Sequence, residues 1–335
     1  MLPLFEQQTL AGVLIVMVFL LGWSLLILLR ILRLLLPRSS GHHVLALLFY
    51  AVSNLGAIFA IPEQPLWYGD VSEADTAHLQ SVNTENTYYR QPQLVDEALH
   101  FIEQGKPGKP EFFFLGFAPD ARQDVFIKES RAVEEIVERQ LDTRHRSLLL
   151  ANHLHTFQEQ PLANTHNLQA VLQAYGRKMN PEDVLVLFLT SHGSKTYELS
   201  VEFARMQFNY LSARKLADIL ETSGIGWRVI VISACYSGGF IDYLQDPQTL
   251  VITAAARDRQ SAGCTADSNA TWFTDAYFKQ ALPQARSFID AFDIARKQVR
   301  LREQQNGEEI SNPQMFIGEA IRHKLGSMNF QSTAH

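Results

Sequence analysis

The sequence predicts an α/β protein: a three-layer α/β/α sandwich on a mostly parallel six-stranded sheet, preceded by two transmembrane helices. Three observations predict it. Short apolar runs, rich in branched and aromatic residues and bounded by turn signals, are spread over 112–318 and read as buried strands. Segments with helical spacing alternate with them, the pattern of parallel strands joined by crossover helices. Two long apolar runs lie in the first sixty-one of the 335 residues.

The first of these, 10–29, has no charged residue and is long enough to cross a bilayer as a helix. Arg30, Arg33 and Arg38 follow it. The second, 44–61, is interrupted only by Ser53 and Asn54, and Pro62 ends it. The positive charges come after the first run, not before it, which speaks against a removed signal peptide. Two spans leave both chain ends on one side, and the arginines of the 30–43 loop favour a cytoplasmic loop. The expectation is a membrane anchor over 1–61 with an extracytoplasmic domain behind it.

Residues 62–110 read as a connector. Within it Leu94 to Gln104 has helical spacing, and Gly105-Lys-Pro-Gly-Lys-Pro110 breaks it. The sheet domain follows over 111–335, about 225 residues, ample for one buried core. Its strands are expected at 112–117, 147–151, 184–190, 228–234, 250–256 and 313–318. Helices are expected at 127–141, 164–175, 211–220, 271–281 and 287–302. In the third of these Ser212 is the expected N-cap and Gly224 stands near the stop.

Composition excludes little but is informative. A net charge of -6 gives no support for nucleic acid as a partner. Two cysteines cannot build a disulfide framework. Asn152-His-Leu-His155 offers two imidazoles beyond a strand but no third ligand spaced with them, so it reads as packing and no metal is expected. Cys264 reads as loop packing. No cofactor is implied.

The chemistry lies at two strand ends. The run 184–190 is followed at once by Ser191-His192-Gly193, and the run 228–234 by Cys235-Tyr-Ser-Gly-Gly239. Strand, helix, strand gives a right-handed crossover, so the two strands lie parallel and close. Their C-terminal ends then bring His192 and Cys235 to one edge of the sheet. A thiol beside an imidazole is a nucleophile with a base. Gly193 lacks a Cβ, so its N–H and that of Cys235 can approach one carbonyl oxygen as an oxyanion hole. Removing one donor from such a hole costs about 3 kcal/mol. The chemistry expected is acyl transfer from a peptide bond through a thioester, resolved by water or by another amine.

These residues resemble the legumain family of cysteine peptidases (family C13) in the caspase-like clan, which also holds the catalytic subunit of the GPI transamidase. The resemblance covers roughly 111–320 and includes Ala254-Ala-Ala-Arg-Asp-Arg-Gln-Ser-Ala-Gly-Cys264. The bacterial, membrane-attached or exported branch is the nearer match. It implies a caspase-like sheet, a His192–Cys235 dyad and Gly193 in the oxyanion hole. It also implies a substrate pocket at Ser261 and Asp275, with Ser233 where legumains carry an acidic residue two positions before the nucleophile. Asp120 falls where the family has an asparagine that orients the histidine, and Arg122 in the same loop is a candidate for substrate contact. The leading expectation is a cysteine endopeptidase acting on protein or peptide after Asn or another polar P1 residue. It is placed in the inner membrane of a bacterium with its domain in the periplasm, so the membrane is also an expected partner. The alternatives are a transpeptidase or transamidase of the same chemistry, and a catalytically inert membrane-bound scaffold.

Overall fold

The structure, a computed structural model, describes residues 82–265 and 268–328, together with Trp23, Ser24, Leu26, Ile27, Arg30 and Tyr50. The chain divides into two compact units, Met1–Val71 and Ser72–His335. The sheet and every helix labelled below belong to the second.

Six strands form the main sheet: β1 (Phe112–Ala118), β2 (Ser147–Ala151), β3 (Val184–Thr190), β6 (Trp227–Ser233), β7 (Thr249–Thr253) and β8 (Gln314–Ile317). Their spatial order is β2-β1-β3-β6-β7-β8. All pairs are parallel except β7 with β8. This mixed sheet is consistent with the expected caspase-like fold. Two further strands, β4 (Glu198–Leu199) and β5 (Leu211–Ser212), make a separate antiparallel pair.

Alternate residues of each central strand enter opposite cores, which is why the runs read as continuously apolar. Leu185, Leu187 and Leu189 face one layer, with Ile230 and Ile232 of β6. That layer holds α1 (Thr84–His100) through Val95, α3 (Thr165–Lys178) through Leu168 and Val171, and α4 (Ala213–Ser223) through Leu216 and Ile219. Val184, Val186 and Phe188 face the other layer. There they meet α2 (Val125–Leu141) through Val133 and Val137, α5 (Phe288–Asn306) through Phe292 and Ala295, and α6 (Glu319–Gly326) through Ile321.

The helix ends follow from their caps. Ser212 accepts from the Lys215 N–H at 3.2 Å, and Gly224 ends α4 at φ 73°. Asn164, Asn83 and Ser287 cap α3, α1 and α5 in the same way. α1 starts ten residues before the expected helical segment and packs on the sheet domain, so part of the expected connector belongs to the core. The expected helix over 271–281 is instead one α turn (Trp272–Thr274) running into a π-helical stretch (Asp275–Ala281), with the Phe273 and Tyr277 rings stacked.

The membrane expectation is corrected. No helix among the described residues is long and apolar enough to cross a membrane. The longest labelled helix, α5, carries Asp290, Asp293, Arg296, Lys297 and Arg300, charges that a hydrocarbon core rejects. The runs 10–29 and 44–61 lie, apart from the six positions named, outside the described residues. The two transmembrane helices, the two-span inner-membrane anchor, the periplasmic placement and the membrane as a partner are therefore not supported.

Candidate active site

β3 and β6 are paired in register, Thr190 opposite Ser233, and each leaves the sheet immediately afterwards. The Ser191 N–H still donates to the Ser233 carbonyl at 3.3 Å, so the chains remain side by side for one more residue. His192 and Cys235, each two positions past that matched pair, then line one small pocket. Phe126, Ser191, Ser233, Ala234, Ser261, Cys264 and Thr271 complete its walls. Its free space is about 10 Å³, room for at most one water.

The sulfur is held by the loop after β7. The Ser261 N–H donates to Cys235 Sγ at 3.3 Å, and the thiol donates to the Ser261 carbonyl at 3.6 Å. Burial pushes the thiol pKa up, and the Ser261 N–H opposes this. His192 packs edge-on against Phe126, ring centroids 5.1 Å apart. Burial lowers its pKa; the Asp120 carboxylate opposes the shift and the Arg122 guanidinium adds to it. Both shifts favour the uncharged forms.

Backbone geometry presents the sulfur. Tyr236, directly after Cys235, sits in the left-handed region at φ 57°, and its N–H is tied to the Arg259 carbonyl at 2.7 Å. A conformation that costs a non-glycine residue energy is thus enforced by its surroundings. Gly193 is required by close approach: a Cβ there would stand 2.0 Å from the Cys235 carbonyl oxygen. Among the described residues, neither the Gly193 N–H nor the Cys235 N–H donates to another residue.

The remaining expected site residues divide. Asp120 is buried and accepts from Arg122 through both oxygens, from Nε at 3.0 Å and Nη2 at 2.5 Å. It reaches His192 only through its field. The Arg122 side chain is half exposed and also donates to Ser200 Oγ at 2.9 Å. Ser233 lies beneath the pocket, its hydroxyl bonded to Thr271 Oγ1 at 2.9 Å and Thr274 Oγ1 at 3.1 Å. Asp275 is not brought to the pocket. Its carboxylate accepts from Gln280 at 2.7 Å and stands 3.6 Å from Arg302. His153 faces Asp124 at 3.3 Å, and the described residues contain no group of three side chains able to hold a metal.

Sequence reasoning passed over Glu129. It is fully buried on α2 and accepts from Thr190 Oγ1 and from the Thr271 N–H, the latter at 2.7 Å. Burial pushes its pKa to about 7 against the opposing pull of those hydrogen bonds. A signal was present: Phe126, Glu129, Ser130, Val133 and Val137 share one helical stripe, and a carboxylate in an apolar stripe needs partners.

The Peptidase C13 family model matches residues 161–323, a stretch that includes His192, Gly193, Cys235 and Ser261. Among curated proteins nothing matches the chain. Solved structures similar to it include caspase-1 from Spodoptera frugiperda, at 12% identity and a TM-score of 0.44, covering 65% of this chain and 88% of that one. The structure of pro-sf-caspase-1 is similar at 12% identity and a TM-score of 0.44, covering 63% and 92%.

Proposed function

We propose that the chain is a cysteine peptidase of the Peptidase C13 kind, whose family model its residues 161–323 match, with Cys235 as the nucleophile and His192 its base in hydrolysis of protein or peptide substrates. One observation carries this reading: the two side chains leave adjacent, register-matched strands and line the same pocket.

With a substrate carbonyl at the sulfur, His192 takes the thiol proton as the S–C bond forms. The Gly193 and Cys235 N–H groups, free of other residues, receive the developing oxyanion. The imidazolium then gives its proton to the leaving amine as the C–N bond breaks. Water, activated by the neutral imidazole, hydrolyses the thioester. Asp120, whose negative charge favours the imidazolium, assists proton transfer to His192 at a distance.

The reading keeps asparagine or another polar residue at P1, with its side chain outside the pocket at the sulfur, whose free space is only about 10 Å³. Ser261 and the half-exposed Arg122 offer that side chain contacts, and Ser233 supports the pocket from below through Thr271. Asp275, engaged by Gln280 and facing Arg302, has no part in this reading.

Labelling by an electrophilic peptide probe tests the proposal. The wild-type chain is expected to be labelled at Cys235, with labelling lost in Cys235→Ala and reduced at least about 100-fold in His192→Ala. Undiminished labelling in folded samples of both variants would refute the assignment.

A further inference from the structure

The loop that carries Ser261 is fastened at both ends, and the second fastening runs to a buried carboxylate. From Glu129 Oε2 the contacts pass to the Thr271 N–H at 2.7 Å. The next residue's N–H, that of Trp272, donates to the Ala262 carbonyl at 3.2 Å. Ala262 adjoins Ser261, whose N–H meets the Cys235 sulfur at 3.3 Å. The other carboxylate oxygen accepts from Thr190 Oγ1, two residues before His192. A ring of three hydroxyls, Thr271, Thr274 and Ser233, joins the same loop end to the strand that delivers Cys235.

We propose that Glu129 is a positioning residue that locks the Ser261 N–H onto the Cys235 sulfur by tying Thr271, and through Trp272 the Ser261-Ala262 segment, to the end of β3. This rests on the reading of Cys235 as the nucleophile. The carboxylate touches neither pocket nor sulfur, so its effect is indirect. Among the described residues it makes no ion pair, which a charge pair serving stability alone would need. Its hydrogen-bond partners are a backbone N–H and a hydroxyl at the two walls of the site. Cys264 is the titratable side chain that feels its charge.

The mechanism of action follows from the chain of contacts. An N–H aimed at sulfur favours the thiolate over the thiol. If the loop loses its hold at Thr271, Ser261 drifts and that preference is lost. Glutamine keeps both ties, since its amide oxygen accepts from the Thr271 N–H and its amide nitrogen donates to the Thr190 hydroxyl. Leucine keeps the volume and loses both.

The test is the pH dependence of iodoacetamide alkylation at Cys235 in the full chain, read by mass spectrometry of the Cys235 peptide. Cys264 is thereby separated, and no peptidase activity is needed. Glu129→Leu is expected to raise the midpoint by about one pH unit, an alkylation rate about ten-fold lower below the midpoint. Glu129→Gln is expected to stay within about 0.3 pH units of wild type. Should Glu129→Leu not fold, Thr190→Val cuts the β3 tie and is expected to raise the midpoint in the same direction. An unmoved midpoint in folded Glu129→Leu, or in Thr190→Val where Leu does not fold, overturns the proposal. If the probe of Proposed function fails to find Cys235 while the alkylation midpoint moves as expected, the peptidase reading fails and the positioning role of Glu129 stands.

Discussion

Replacing Gly193 by alanine is the sharpest test of the site. The added Cβ would stand 2.0 Å from the Cys235 carbonyl oxygen and 3.2 Å from the Ala234 Cβ. Ordinary contact begins near 3.4 Å, so one of the two chain segments must retreat by about 1.4 Å. Neither can do so cheaply, because the Ser200 N–H holds the His192 carbonyl at 2.9 Å and the Tyr236 N–H holds the Arg259 carbonyl at 2.7 Å. A displacement of this size at a reacting group costs about 100-fold in rate. Losing one oxyanion donor costs about 3 kcal/mol, again about 100-fold. The two effects share one movement and are not additive. The expected outcome for Gly193→Ala is a loss of about 100- to 1,000-fold in kcat with KM little changed. Overpacking of this kind costs about 1–3 kcal/mol in stability, so the chain should remain folded at 25 °C. Peptide hydrolysis read beside a thermal melt makes the measurement. A folded Gly193→Ala with wild-type kcat would show that the close approach has no bearing on the chemistry.

Two further predictions follow from the buried carboxylates. Asp120→Asn removes the charge that holds the His192 pKa up, so the imidazole should titrate at lower pH, and with it the acidic limb of the rate profile; an NMR titration of His192 that does not move refutes this. Burial holds the Glu129 carboxyl from 4.5 up to about 7, so the folded chain keeps that proton more tightly than the unfolded chain. The associated stability is complete below the unfolded value and is lost as pH rises through the folded one, up to about 3 kcal/mol. Glu129→Gln should therefore gain on wild type in denaturant melts between about pH 5 and pH 8, and a constant difference across that window would refute it.

Much of this was legible in the residue pattern, for physical reasons that differ by element. The run 184–190 is buried on both faces, so its seven residues form an unbroken apolar signal whichever core they enter. Ser212 and Gly224 marked the ends of α4 because cap and left-handed stop demand those residue types. β7 stops at Thr253, three residues before the apolar run does: the Ala254 N–H still donates to the Ile232 carbonyl, but the Ala255 and Ala256 N–H groups turn to Ser237 Oγ and the Ser311 carbonyl. The β4–β5 pair is two residues per strand, too short for any periodicity. α1 opens on Thr84-Glu-Asn-Thr and contains Pro92, and only contact with the sheet domain explains its length. Asp275 shows the limit of motif spacing: the π-helical stretch it begins turns its carboxylate toward Gln280 and Arg302. Glu129 lies 63 positions before His192 in sequence, and nothing local announces that Thr190 and Thr271 converge on it.

β3 and β6 are the two middle strands of six, with two neighbours on either flank. Fraying of such a sheet starts at its margins, β2 and β8, which pair with a strand on one side only. The groups that cut a peptide bond in this reading are thus rooted in the part of the molecule last to melt. Insertions and sequence drift can accumulate along the margins while the geometry at the centre is conserved by its own packing.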